Sequence, residues 1–163
     1  MLIHITQLSP DEWQKYREIR LEGLQTDPLA FGSSYEEEIN FTETNWRNRI
    51  NAMWFALVDG KIVGMIGLLT GANMSTRHCG QIISLWVKPI FRGQGIAKAL
   101  VQKLQEIAPQ HGLRKLSLQV ATTQTNAIKL YEIMGFKNIT LLTENLRKGD
   151  RYLDEYLMVW HIQ

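Results

Sequence analysis

The residues that point most directly to chemistry are Arg92-Gly93-Gln94-Gly95-Ile96-Ala97. Gly93 and Gly95 let backbone amides turn inward with no Cβ in the way. A helix opening here would add unpaired N–H groups and a partial positive charge. Such a loop is a seat for a phosphate or pyrophosphate, with the full charge of Arg92 beside it. Taken alone, the same residues also describe a tight turn that binds nothing. They are not a Walker loop, because no Gly-Lys-Ser/Thr follows, and the dinucleotide fingerprint fails at Lys98. A second group is the acidic triplet Glu36-Glu37-Glu38 after Phe31-Gly32-Ser33-Ser34-Tyr35. It would attract a cation and supply a base, or lie on a solvated face. Asp154-Glu155 is a further acidic pair, open to the same two readings. His4, His78, His111 and His161 have no two at metal-ligand spacing, and His78-Cys79 has no third partner nearby, so no metal site is expected.

The elements around the glycine loop give it meaning. Ile82, Ile83, Leu85, Trp86 and Val87 form a near-continuous apolar run, the pattern of a strand covered on both faces, and Pro89 ends it. Ala97, Leu100, Val101, Leu104, Ile107 and Ala108 then recur at helical spacing. Strand, glycine turn and helix thus follow without a gap. Downstream, Gln124 to Met134 predicts a short helix stopped by Gly135, with Phe136 opening the next strand.

Together these two pieces resemble the GNAT superfamily of acyl-CoA-dependent N-acetyltransferases. The first is similar to that family's strand followed by Gln/Arg-x-x-Gly-x-Gly/Ala and a helix. The second is similar to its Ala-x-x-Leu-Tyr-x-x-x-Gly-Phe segment, at Ala127, Leu130, Tyr131, Gly135 and Phe136. The remaining chain suits that layout. Leu2 to Leu8 predicts a first strand. Ser9-Pro10-Asp11-Glu12 is a helix start with a capping box, and its helix runs to about Asp27-Pro28. A loop from Leu29 to Phe41 precedes a short helix near Glu43 to Asn51. Trp54 to Val58 and Lys61 to Thr70 form a hairpin around Asp59-Gly60. Strands follow at Lys115 to Val120, Lys137 to Thr143 and Tyr152 to His161. The expectation is one α/β domain over residues 1–163, with a mixed antiparallel and parallel sheet and about four helices.

The resemblance implies a sheet splayed near a bulge in the central strand, with acetyl-CoA in the gap. It places the pantetheine against the backbone of Leu85, Trp86 and Val87, and aims one N–H there at the thioester carbonyl. Such a donor is commonly worth about 3 to 4 kcal/mol. The pyrophosphate then falls on Arg92, Gly93, Gln94, Gly95, Ile96 and Ala97, with Lys98 or Lys129 near the adenosine 3′-phosphate. Tyr131 is implied as the general acid to the CoA thiolate. A buried core tyrosine is the competing reading, since Ala127, Leu130, Tyr131 and Met134 also make an apolar stripe. The family's pantetheine-binding Asn is here Gln124, and either Gln124 or Asn126 takes that role. No carboxylate lies on the central strand, where Ser84 could only hold a water, so Glu36 and Glu37 become candidate bases.

Length and composition fit one globular domain. The chain has 163 residues, 45% hydrophobic, enough for one good core. No apolar run is long enough for a membrane span and no secretory signal is evident. With Cys79 the only cysteine, no internal disulfide forms, and a cytoplasmic location is expected. A net charge of +2 does not argue for nucleic-acid binding. The resemblance also implies that a homodimer would be ordinary. Three readings follow. The first is an N-acetyltransferase acting on a small or peptide amine by direct attack through a tetrahedral intermediate. The second is an acyl-CoA binding or sensing module without turnover, and the third an unrelated phosphate-binding domain. The first is preferred.

Overall fold

The computed structural model describes residues 1–163. The strands are β1 (His4–Thr6), β2 (Met53–Val58), β3 (Lys61–Thr70), β4 (Cys79–Val87), β5 (Lys115–Ala121), β6 (Lys137–Lys148) and β7 (Arg151–His161). They form one mixed seven-stranded sheet in the order β1-β2-β3-β4-β5-β7-β6. The helices are α1 (Trp13–Thr26), α2 (Tyr35–Glu38), α3 (Glu43–Arg49), α4 (Ile96–Ile107) and α5 (Thr125–Ile133), joined by short 3-10 turns. This is the α/β architecture expected, with one more helix than the sequence suggested. The extra element is α2, a single turn within the segment read as a loop. Ser34 caps it by accepting from the Glu37 N–H at 3.3 Å.

Local chemistry explains most boundaries. At Ser9-Pro10, the Glu12 carboxylate accepts from the Ser9 N–H at 3.1 Å, and a 3-10 turn over Pro10–Glu12 leads into α1. Thr42 and Asn45 make the reciprocal cap of α3. Asp59 and Gly60 both have positive φ, as the tight β2–β3 hairpin requires. The first strand is shorter than expected, at His4–Thr6, because β1 pairs only with Phe55 to Leu57 of β2.

The chain divides into two compact units. The first comprises residues 1–68 and 83–103, and the second residues 69–82 and 104–163. The core of the first unit gathers Tyr16, Trp46, Ile50, Met53, Phe55 and Met65, all at most 2% exposed. Tyr16 meets Trp46 edge-on at 5.3 Å and Phe55 at 5.8 Å. β3 lies so close to its neighbours that Gly67 has no room for a side chain. A Cβ there would sit 2.7 Å from Ile83 Cγ1 and 2.8 Å from Met53 Sδ. Gly67→Ala is therefore expected to cost about 1 to 3 kcal/mol by overpacking, read as a lower denaturant midpoint at unchanged m.

In the second unit, β5 pairs antiparallel with β7 from Lys115↔His161 to Ala121↔Glu155, and β7 turns back from β6 at Gly149. β4 joins β5 in parallel at Cys79, Gly80 and Gln81. Leu116, Leu118, Met158 and Phe136 are its buried centre. No helix is long and apolar enough to cross a membrane.

Candidate active site

β4 is an inner strand, yet its middle is not fully covered. Ile83, Ser84 and Leu85 are half-buried between buried Ile82 and buried Trp86. Ser84 has φ +59, a left-handed conformation inside a strand. Only two other non-glycine residues share that sign. Asp59 lies in a hairpin turn and Glu144 in an irregular stretch of an exposed edge strand. A left-handed residue within a strand breaks the regular pleat and re-aims the peptide groups around it. Ser84 thus bends β4 locally, and its Oγ accepts from Arg20 Nη1 at 2.5 Å.

The loop after β4 has the backbone that its glycines permit. Gly93 has φ +74 and Gly95 φ +84, and at neither would a Cβ meet any atom within 4 Å. The two glycines therefore serve backbone conformation and openness, not packing. Arg92 to Gly95 are exposed, and Ile96, fully buried, anchors the first turn of α4. Exposed amides at the start of a twelve-residue helix, beside open space, fit a pyrophosphate group. Ala97 is half-buried behind them and Lys98 exposed.

Arg92 does more than carry charge. Its Nε donates to the Val87 carbonyl at 2.9 Å and its Nη2 to Asp27 Oδ2 at 2.5 Å. The Trp86 indole donates to the same Asp27 oxygen at 2.7 Å. The end of α1, the end of β4 and the glycine loop are thereby tied by one carboxylate. Burial works to raise the Asp27 pKa, but the bonds from Trp86 and Arg92 outweigh it and hold the carboxyl below the usual range. Trp86 consequently offers β4 backbone rather than side chain, and the Val87 carbonyl is already engaged.

The acidic triplet separates on folding. Glu36 and Glu37 are exposed, and Glu37 accepts from Ser33 Oγ at 3.0 Å. Glu38 turns inward and is fully buried, held by two bonds from Arg20 (Nε and Nη2, 2.8 Å each) and one from Arg49 at 3.2 Å. Burial would raise its pKa, but the two guanidiniums prevail and keep it ionised below the usual range. So held, Glu38 is no acceptor for a substrate proton. The sequence offered no sign that Arg20 is its partner, since eighteen residues and a 3-10 turn separate them.

In the second unit, Gln124 is the half-buried residue preceding α5 and Asn126 is exposed in its first turn. Tyr131 is 6% exposed and meets Phe136 edge-on at 5.7 Å. Burial pushes its phenol pKa well above the ordinary value. Asp154 accepts from the Glu144 N–H, and Glu155 from the Asn145 amide, so both support the β6–β7 hairpin. No group of three or more His, Cys, Asp or Glu side chains is arranged to hold a metal ion.

Residues 10–136 match the model of the acetyltransferase (GNAT) family. The chain belongs to that family. Among curated proteins, it is 35% identical over 99 residues to N-acetyltransferase 8 of Homo sapiens, covering 60% of this chain and 44% of that protein. It is 33% identical over 89 residues to human N-acetylaspartate synthetase, covering 55% of this chain and 28% of the other. The chain thus spans half or less of these two relatives. Among solved structures, a GNAT-family acetyltransferase from Streptococcus pneumoniae superposes with a TM-score of 0.85 at 23% identity, covering 99% of this chain and all of the other. The Salmonella typhimurium protein yncA, solved with its cofactor acetyl-CoA, gives 0.85 at 16% identity, covering 100% of this chain and 95% of that one. At these identities the structures establish the fold, a single GNAT-type α/β arrangement.

Proposed function

We propose that this chain is an N-acetyltransferase that moves an acetyl group from acetyl-CoA to a primary amine. The observation that carries the proposal is the kinked, half-uncovered β4 running into an open, left-handed glycine loop at the start of α4. A kinked strand and an N–H-lined helix start suit an extended pantetheine and a pyrophosphate. Leu85, Trp86 and Val87 offer backbone to the first. Arg92 through Ala97 hold the second, with Lys98 and its charge one residue further on. Gln124 or Asn126 adds an amide contact.

Bound acetyl-CoA supplies a thioester-activated acetyl group. The amine attacks the carbonyl carbon directly, forming the C–N bond and a tetrahedral intermediate whose collapse breaks the C–S bond and releases the thiolate. A backbone N–H at the β4 kink takes the negative charge that gathers on the carbonyl oxygen in the tetrahedral intermediate. Tyr131 hydrogen-bonds the departing sulfur. Its raised pKa keeps the phenol protonated throughout. An ordinary thiol ionises near 8.5, so the bond supports the thiolate without complete proton transfer. An alkyl ammonium is only about one part in 10³ neutral at pH 7. The acceptor must therefore lose a proton first, and the exposed carboxylates Glu36 and Glu37 are the groups proposed to draw it in and receive that proton.

Calorimetric titration of acetyl-CoA with a thiol-release assay over a panel of amines tests this. Micromolar binding with turnover is the expected result. Binding without turnover on any amine would favour an acyl-CoA sensing module, and no binding would refute the assignment. Gly95→Ala supplies a sharper test of the loop. A Cβ at φ +84 costs about 1 to 2 kcal/mol, which the exposed loop of the free variant relieves by leaving that conformation; acetyl-CoA must then restore it and should bind roughly tenfold more weakly.

A further inference from the structure

Arg20 and Glu38 sit behind β4 as a sealed ion pair, with side chains 4% and 0% exposed. A buried pair of this kind is a poor stabiliser compared with apolar residues of equal volume. This one has a distinctive geometry. Glu38 accepts Nε and Nη2 of the guanidinium, which leaves Nη1 to reach Ser84 Oγ. The Phe31 ring lies 4.7 Å from the guanidinium carbon and closes off another direction. Arg49 adds a second cation to Glu38 from its half-exposed position. Arginine only donates, so the Ser84 hydroxyl must accept. Its oxygen is drawn toward α1 and the residue is pinned at φ +59, a conformation that serine does not favour by itself.

We propose that Arg20, oriented by Glu38, is a positioning residue for acyl transfer: it clamps Ser84 in the left-handed conformation and so fixes the direction of the peptide N–H groups at the β4 kink. This deepens the acetyltransferase reading and rests on it. Without the clamp, Ser84 relaxes toward ordinary strand angles and the donor aimed at the thioester oxygen swings away. A donor misplaced by about 1 Å loses on the order of 10²-fold in rate.

Removing one charge alone would leave the other buried and threaten folding. The test therefore uses the double variant Arg20→Met/Glu38→Leu, and the same variant with Ser84→Gly added. Glycine adopts positive φ with no clamp. Three readouts are taken: thermal midpoint, thiol-release kinetics, and the carbonyl stretch of acetyl-CoA carrying 13C at the thioester carbon. The double variant is expected to fold and to bind acetyl-CoA within a few-fold of wild type. Its kcat should fall about 10²-fold, and the carbonyl band should move to higher wavenumber as its hydrogen bond is lost. Adding Ser84→Gly should recover a substantial part of kcat and return the band. Wild-type kcat and band position in the folded double variant would overturn the clamp and leave the acetyltransferase reading standing. A slow variant that Ser84→Gly does not rescue, with an unmoved band, would reduce the pair to a structural role. If the double variant does not fold, Ser84→Ala, which removes only the Oγ that Arg20 holds, should lower kcat about 10²-fold and move the band to higher wavenumber, with Ser84→Gly losing less on both readouts; Ser84→Ala at wild-type kcat and band overturns the clamp. Failure of the wild type to bind acetyl-CoA would overturn both readings together.

Discussion

Tyr131→Phe is expected to lower turnover in thiol release by about 10²- to 10³-fold, the cost of removing one donor aimed at developing charge, with acetyl-CoA affinity and thermal midpoint close to wild type. The proposed role resides in one hydroxyl, and phenylalanine removes only that. The ring contact with Phe136 is retained, so the packing around α5 and β6 has no cavity to absorb. The pH profile carries a second expectation. Burial raises the phenol above its ordinary 10.0, which keeps the proton in place through neutral and mildly alkaline conditions. Activity should therefore show no loss assignable to this group below about pH 10. A basic limb near neutrality that disappears in Tyr131→Phe would contradict that. Equal activity of the variant would return Tyr131 to a packing role.

Glu38→Ala should produce the largest loss of stability, about 3 to 5 kcal/mol, because it strands Arg20 in the core with its charge uncompensated. Urea denaturation at pH 7 measures it. The pH dependence follows from the direction of the shift. The folded state holds this carboxyl below its ordinary 4.5, so folding favours its ionised form. Its contribution is complete above about pH 4.5 and is lost as pH falls through the depressed folded value. Wild type should thus weaken on acidification in that window, and the Arg20→Met/Glu38→Leu protein should weaken less. Parallel acid profiles for the two would mean that other carboxylates dominate.

Individual residues show how much of this was legible beforehand. Pro10, Asp59-Gly60, Gly135 and the helical spacing from Ala97 to Ala108 each act on their own neighbours, and the elements they announced are present. β3 spans Lys61–Thr70, the same bounds the hairpin pattern indicated. Ends set by pairing were harder to place. β6 runs to Lys148, well beyond the Thr143 expected, because its ladder with β7 resumes at Leu146↔Leu153 after an irregular stretch. Nothing local to β6 encodes where β7 is available. The single turn of α2 was likewise hidden, since four residues are too few to show a period.

The sequence by itself determined the family, the α/β layout, and the glycine loop that ends in Ile96 and Ala97. Those features follow from short-range causes: a positive φ that glycine tolerates, a cap, an apolar spacing. Only the tertiary structure decided which member of Glu36-Glu37-Glu38 is buried, that Arg20 neutralises it and holds Ser84, and that Arg92 and Trp86 converge on Asp27. Charges find partners through space, and a guanidinium eighteen or sixty-five residues from its carboxylate leaves no periodic trace in the chain.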